Sequence, residues 1–290
     1  MGQIGISLEP PFRSVSVVGL GLIGGSIALA VRERWPAMRI SGVDRKAVLA
    51  HALGSGAIDR GLESAADACE ADLIVLAAPV RQNLKLLGEV AQRLPATTVV
   101  TDVGSTKRGI VDAAAALACT SFVGGHPIGG AEQGGFGFAR PDLFRHRPWI
   151  FTPSANTPAP AMERLFEFAR GVGARPSTMR ADDHDRVMAF VSHLPQLTAS
   201  ALMDVIGSSA GENALRLAGR GLVDTTRLAS SPAETWRDVC ATNDDAIGQA
   251  LDVLIARLSE LRADLRGGDT VNRVFADAAR WRAELMSGRE

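Results

Sequence analysis

Gly19-Leu20-Gly21-Leu22-Ile23-Gly24 stands between a β-branched run, SVSVV from Ser14, and a helix-patterned stretch, LIGGSIALAVRER. That placement gives a GxGxxG string its meaning. Gly19 permits a tight turn out of the strand, Gly21 lets the backbone approach a pyrophosphate, and Gly24 lets helix and strand pack closely. Leu22 and Ile23 open the helix, whose free N–H groups face the phosphates. Asp44 closes the next β-branched run, twenty residues beyond Gly24. A carboxylate there accepts hydrogen bonds from ribose hydroxyls and repels a 2′-phosphate, which favours NAD. Arg45 beside it keeps NADP open, because a guanidinium can pair with a 2′-phosphate or stack on adenine. The following run ends in Ala77-Ala78-Pro79-Val80, where the proline breaks the chain at the carboxyl edge of the sheet. Pro79 and Val80 either line the cofactor cleft or form a plain turn.

From Ser14 to about residue 180, short apolar runs alternate with amphipathic stretches, the pattern of a parallel sheet covered by helices. RISGVD, ADLIVLAAP, TTVVTDV, SFVGG and PWIFTP read as further strands, with an edge strand near Pro176. Beyond Ala181 the strand pattern stops and helices follow one another. The expected fold is therefore α/β: a Rossmann-type doubly wound parallel sheet over residues 1–180, then an all-helical domain over 181–290. That second domain would close a substrate cleft, and its long apolar helices suit a homodimer.

Composition narrows the setting. The 31 Lys and Arg nearly balance the 32 Asp and Glu, leaving no net field for a nucleic acid or an anionic membrane. Cys69, Cys119 and Cys240 lack CxxC spacing, so neither a disulfide framework nor a metal cluster is expected. No apolar run approaches the ~20 residues of a membrane span, and the start MGQIGISLEPPF is not a leader; a cytoplasmic location is expected.

A Rossmann fold says that a dinucleotide binds and leaves open what is oxidised. Two segments that follow strands carry the chemistry: Thr101-Asp102-Val103-Gly104-Ser105-Thr106-Lys107 and Gly124-Gly125-His126-Pro127-Ile128-Gly129-Gly130-Ala131-Glu132. Both fall on the crevice edge, where Ser105 could reach His126. An alcohol that loses hydride must shed its proton, and an imidazole is the natural acceptor at neutral pH. His126 is accordingly the expected general base.

GHPIGG with its downstream Glu, DVGSTK before it, and SHLPQL and DTTRLA…TWRD after it resemble the prephenate/arogenate (cyclohexadienyl) dehydrogenase family in order and interval over nearly the whole chain. The resemblance implies a Rossmann domain followed by a helical dimerisation domain. It also implies NAD(P)-dependent oxidative decarboxylation of prephenate or arogenate toward tyrosine. By position, His126 resembles the catalytic histidine and Ser105 the serine linking it to substrate and nicotinamide. His193 resembles a second active-site histidine, Arg227 the arginine that anchors a substrate carboxylate, Trp236 a tryptophan at the cleft mouth, and Glu132 an acid that helps gate the site. Gln196 departs from the pattern, since many relatives carry His there, which leaves the tuning of substrate or inhibitor binding open.

Other polar residues have plain explanations. Asp182, Asp183 and Asp185 are read as acids complementing a helix N-terminus, His184 among them as solvated, and His51 and His146 as surface residues. Two other functions stay open: oxidation of 4-amino-4-deoxyprephenate in secondary metabolism, and a non-catalytic NAD-binding dimer. The β-hydroxyacid dehydrogenases would normally bring a helix-borne catalytic Lys, which is not found here.

Overall fold

The computed structural model of the chain describes residues 9–130 and 133–287. Eight strands make one sheet: β1 (Ser14–Val18), β2 (Arg39–Val43), β3 (Arg60–Leu62), β4 (Leu73–Leu76), β5 (Val99–Asp102), β6 (Phe122–Pro127), β7 (Pro148–Thr152) and β8 (Arg175–Thr178). Their order across the sheet is β3-β2-β1-β4-β5-β6-β7-β8. Neighbours run parallel except β6 and β7, which pair antiparallel from Gly124↔Thr152 to Pro127↔Trp149. Strand order reverses direction between β1 and β4, so the crevice of a doubly wound sheet lies there, at the carboxyl ends. β3, too short to show an alternating pattern, is the one strand the sequence reading lacks.

Between the strands run α1 (Leu22–Arg34), α2 (Lys46–Gly54), α3 (Val80–Ala91), α4 (Arg108–Ala116) and α5 (Ala159–Gly171). β1, β4 and β5 are buried along their whole length, which is why they read as unbroken apolar runs. On one face Trp35 stacks on Phe168 at 5.9 Å and Trp149 on Phe151 at 5.8 Å. On the other, Leu87 and Val90 of α3 and Ile110 and Ala114 of α4, at helical three- and four-residue spacing, belong to one core cluster with Ile74, Leu76 and Val100. Each such large apolar side chain contributes about 1.5–3 kcal/mol by leaving water.

After the sheet come α6 (Ala181–Met188), α7 (Leu194–Leu215), α8 (Arg220–Thr225), α9 (Ala233–Thr242), α10 (Asp244–Ala263) and α11 (Asp269–Ser287). α6 and α7 are joined by a π-helical turn, Ala189–His193. Pro195 accounts for it: the ring has no N–H and crowds the carbonyl four residues back, and a widened turn absorbs the conflict.

Contacts divide the chain into two compact units, Met1–Asp244 and Asp245–Glu290. This packing boundary falls later than the change of pattern at residue 180. The reason is specific: Asp185 accepts the backbone N–H groups of Lys107 and Arg108, Thr242 bonds Thr106 through their hydroxyls at 2.8 Å, and Asp238 accepts from Arg81 N. In the second unit Asp264 accepts from Thr270 N at 2.6 Å and closes the turn before α11, and Leu258, Leu265, Phe275 and Trp281 are exposed. Among the described residues no helix is long and apolar enough to cross a membrane.

Candidate active site

The turn after β1 leaves room only for backbone. Gly19 has φ +97°, and a Cβ there would lie 2.7 Å from the Ala77 carbonyl; one on Gly24 would lie 1.9 Å from Gly19 O. Gly21, by contrast, faces nothing within 4 Å, so its backbone is approachable from outside. The first turn of α1 carries no acid to neutralise its positive end. Leu22 and Ile23 pack partly against the core. Asp44 braces this turn: Oδ2 accepts from Leu20 N and Oδ1 from Arg45 N, both at 2.7 Å. Each oxygen keeps a further lone pair for a ribose hydroxyl. The Arg45 guanidinium is largely exposed, 3.8 Å from Asp44. Pro79 precedes α3, while Val80 is buried and turned toward Gly104. These residues fit a dinucleotide pyrophosphate held by main chain.

Farther along the same edge lies a cavity of about 490 Å³, lined by Ser105, His126, Ile128, Arg140, Arg147, Met188, His193 and Trp236 among others. His126 sits on β6, where a side chain on the preceding glycines would collide: a Cβ on Gly125 would meet Asp102 O at 2.6 Å, and one on Gly124 the Thr152 hydroxyl at 2.3 Å. The buried Asp102 carboxylate ties both chemical segments together, accepting from Gly104 N at 2.8 Å, Gly125 N at 3.0 Å and the Lys107 ammonium.

Nδ1 of His126 lies 2.9 Å from Nε2 of His184, and Nδ1 of His184 lies 2.8 Å from Asp185 Oδ1. His184 and Asp185 are buried. Both therefore depart from their reading as a solvated histidine and a helix-start acid, whereas Asp182 and Asp183 do sit near Arg180 at the exposed start of α6. Ser105 is half-buried in the cavity wall and is not hydrogen-bonded to His126, whose Nδ1 is paired with His184. Burial above all, then His184, Lys107 and His193, holds His126 well below the usual histidine range, so the ring is neutral at physiological pH. Burial likewise lowers Lys107, against the pull of Asp102.

His193 is carried by the π turn. Its Nδ1 is 3.3 Å from Asn243 Nδ2, its ring meets Trp236 edge to face at 6.0 Å, and its buried Nε2 has no protein partner. Burial pushes its pKa down to about 4. Arg227 is not brought to this cavity. It is exposed and lines a second one of about 670 Å³ with Thr226, Leu228 and Ser231, and Gly130 lines both. Gln196 braces that second wall: Nε2 donates to Leu228 O at 2.6 Å and Oε1 accepts from Ser231 Oγ at 3.1 Å. Glu132 lies outside the described residues.

Five residues here escaped the sequence reading: His184, Asp185, Asn243, Arg140 and Arg147. The first two were detectable, since the apolar face of Met188 and Ala189 projects back four residues onto them. The arginines, on the loop before β7, had no such phase.

A doubly wound sheet with a glycine-walled dinucleotide turn and a neutral histidine on the same edge defines a nicotinamide-dependent dehydrogenase. Residues 27–178 match the family model of the prephenate dehydrogenase nucleotide-binding domain, and residues 180–275 that of the prephenate dehydrogenase dimerization domain. The chain belongs to the prephenate dehydrogenase family. It is 36% identical to prephenate dehydrogenase of Bacillus subtilis over 283 residues, 94% of this chain and 76% of that one. It is 32% identical to cyclohexadienyl dehydrogenase of Zymomonas mobilis over 95% of this chain and 97% of that one. Among solved structures, prephenate dehydrogenase from A. aeolicus in complex with hydroxyphenyl propionate and NAD+ superposes with a TM-score of 0.87 at 28% identity, covering 94% of this chain and 98% of that one.

Proposed function

We propose that the chain oxidatively decarboxylates prephenate, arogenate or both, using NAD, in the route to tyrosine. The observation that carries the residue-level reading is a neutral imidazole, His126, in the wall of a cavity that two arginines also line, Arg147 and Arg140, the latter with its guanidinium 3.7 Å from Asp142. Similarity to prephenate and cyclohexadienyl dehydrogenases along almost the whole chain supports the reaction.

NAD, when bound, supplies the hydride acceptor. His126 takes the proton of the ring hydroxyl through Nε2 as the carbinol carbon is oxidised. Loss of carbon dioxide then aromatises the ring, so the protein need only hold the substrate in line. Arg140 and Arg147 face its negative charge within this cavity, and Arg227 anchors a carboxylate from the adjoining one. His193 donates its unpaired Nε2–H to the substrate, Ser105 bonds the hydroxyl end, Trp236 shields the mouth, and Glu132 gates it. Asp44 holds the adenosine ribose. The helices of residues 181–290 bind substrate and form a homodimer, a reading supported by the matched dimerization domain. The enzyme works in the cytoplasm. Assays of NAD and NADP reduction with prephenate, arogenate and 4-amino-4-deoxyprephenate side by side test the proposal: turnover of prephenate or arogenate with NAD is expected, and inactivity on both would overturn it.

A further inference from the structure

We propose that His184 and Asp185 are positioning residues that fix the single proton of neutral His126 on Nδ1 and so keep the Nε2 lone pair facing the cavity. The catalytic consequence rests on His126 being the base; the position of the proton does not.

The proton positions are set from the far end of a chain of hydrogen bonds. Asp185 meets three donors: Lys107 N at 2.7 Å and His184 Nδ1 at 2.8 Å on one oxygen, and Arg108 N at 2.9 Å on the other. Two of these are the open N–H groups at the start of α4, where a negative charge is favoured. An ionised carboxylate can only accept, so His184 carries its proton on Nδ1. A neutral imidazole has one N–H, so His184 Nε2 offers a lone pair. At 2.9 Å from it, His126 Nδ1 must then be the donor, and Nε2 of His126 is left unprotonated. Nothing in His126 itself forces this choice; it is set by a carboxylate two hydrogen bonds away.

The competing state would place a second proton on His184, reversing the His126 bond and turning Nε2 into a donor. That cation would be fully buried, with the Lys107 ammonium nearby and His193 across the π turn, and Asp185 and the Lys107-bound Asp102 as the buried acids. In that state His126 would present a donor to the cavity, which a ring-nitrogen spectrum reads directly. The arrangement also clamps β6, α6 and α4 together, so that the orientation of the His126 ring is set along with its proton.

The test uses the whole chain labelled with 15N-histidine, whose five histidines are assigned one at a time by substitution. Long-range proton–nitrogen correlation at neutral pH reads which ring nitrogen bears hydrogen. His126 is expected to show a protonated Nδ1 and a bare Nε2. An Nε2–H form, or an imidazolium, overturns the proposal whatever the enzyme does. His184→Leu removes the acceptor and is expected to release His126 into a tautomer mixture and to lower kcat at least about tenfold with KM little moved. His184→Gln, which retains a side-chain carbonyl, should recover part of that loss. Equal kcat in wild type and His184→Leu overturns the positioning role. A wild type that shows the expected tautomer yet oxidises neither prephenate nor arogenate would overturn the proposed function and leave this inference standing.

Discussion

Acidification should destabilise the folded chain by about 3 kcal/mol through His193 alone. Burial pushes this imidazole down to about 4, whereas in the unfolded chain it titrates near its ordinary value of about 6.5. Above about 6.5 both states are neutral, and the contribution of His193 is fully present. As pH falls below that value the unfolded chain takes up a proton that the folded chain refuses, so stability declines until the folded group itself titrates near 4. The window of about 2.5 units at about 1.4 kcal/mol per unit gives the figure. The structural cause is a ring with a relative exposure of 1%, whose Nδ1 faces the Asn243 amide and whose Nε2 has no protein partner to share a positive charge. His126, also held below the usual histidine range by burial, acts in the same direction. Urea unfolding followed by tryptophan fluorescence, in a series from about pH 7.5 to about pH 4, should show wild type losing about 3 kcal/mol more than His193→Asn, which cannot titrate. Parallel losses in the two proteins would refute the buried neutral histidine.

His126→Asn should lower kcat by about 10²- to 10⁴-fold with KM near wild type, since the base acts only as the proton leaves; an unchanged kcat in steady-state assays would remove it from that role. Arg147→Ala should raise KM for prephenate about 10- to 100-fold while kcat falls less, the loss expected of one charged hydrogen bond. Arg227→Ala measured in parallel shows how the two cavities divide the substrate's carboxylates. Lys107→Met should destabilise by about 3–5 kcal/mol in urea unfolding, because it leaves the Asp102 carboxylate buried without its cation. A loss under about 1 kcal/mol would refute the part given to this buried ion pair.

What the sequence made legible followed from local rules. The glycine turn, Asp44 and the alternating runs each encode a requirement within a few residues, and at Gly19 and Gly24 the turn has room only for glycine. His126, Ser105, His193 and Trp236 were brought together through ordered motifs, and they share one cavity. The relay behind His126 stayed hidden because an Asp-His-Asp string at a helix start looks the same whether it faces solvent or a core; only contact with the start of α4, some 78 residues away, decides it. Arg227 is carried by an evident motif, and in the single chain it lines a neighbouring cavity. Arg140 and Arg147, on an irregular loop without periodicity, line the cavity of His126 and left no local signal in the sequence.

A crystal structure with NAD and hydroxyphenyl propionate would test the central claim most directly. The account predicts the phenol oxygen within hydrogen-bond distance of Nε2 of His126, and the carboxylate turned to a guanidinium, Arg147 or Arg227. A ring seated elsewhere, or a phenol oxygen held by other groups with His126 remote from it, would contradict it.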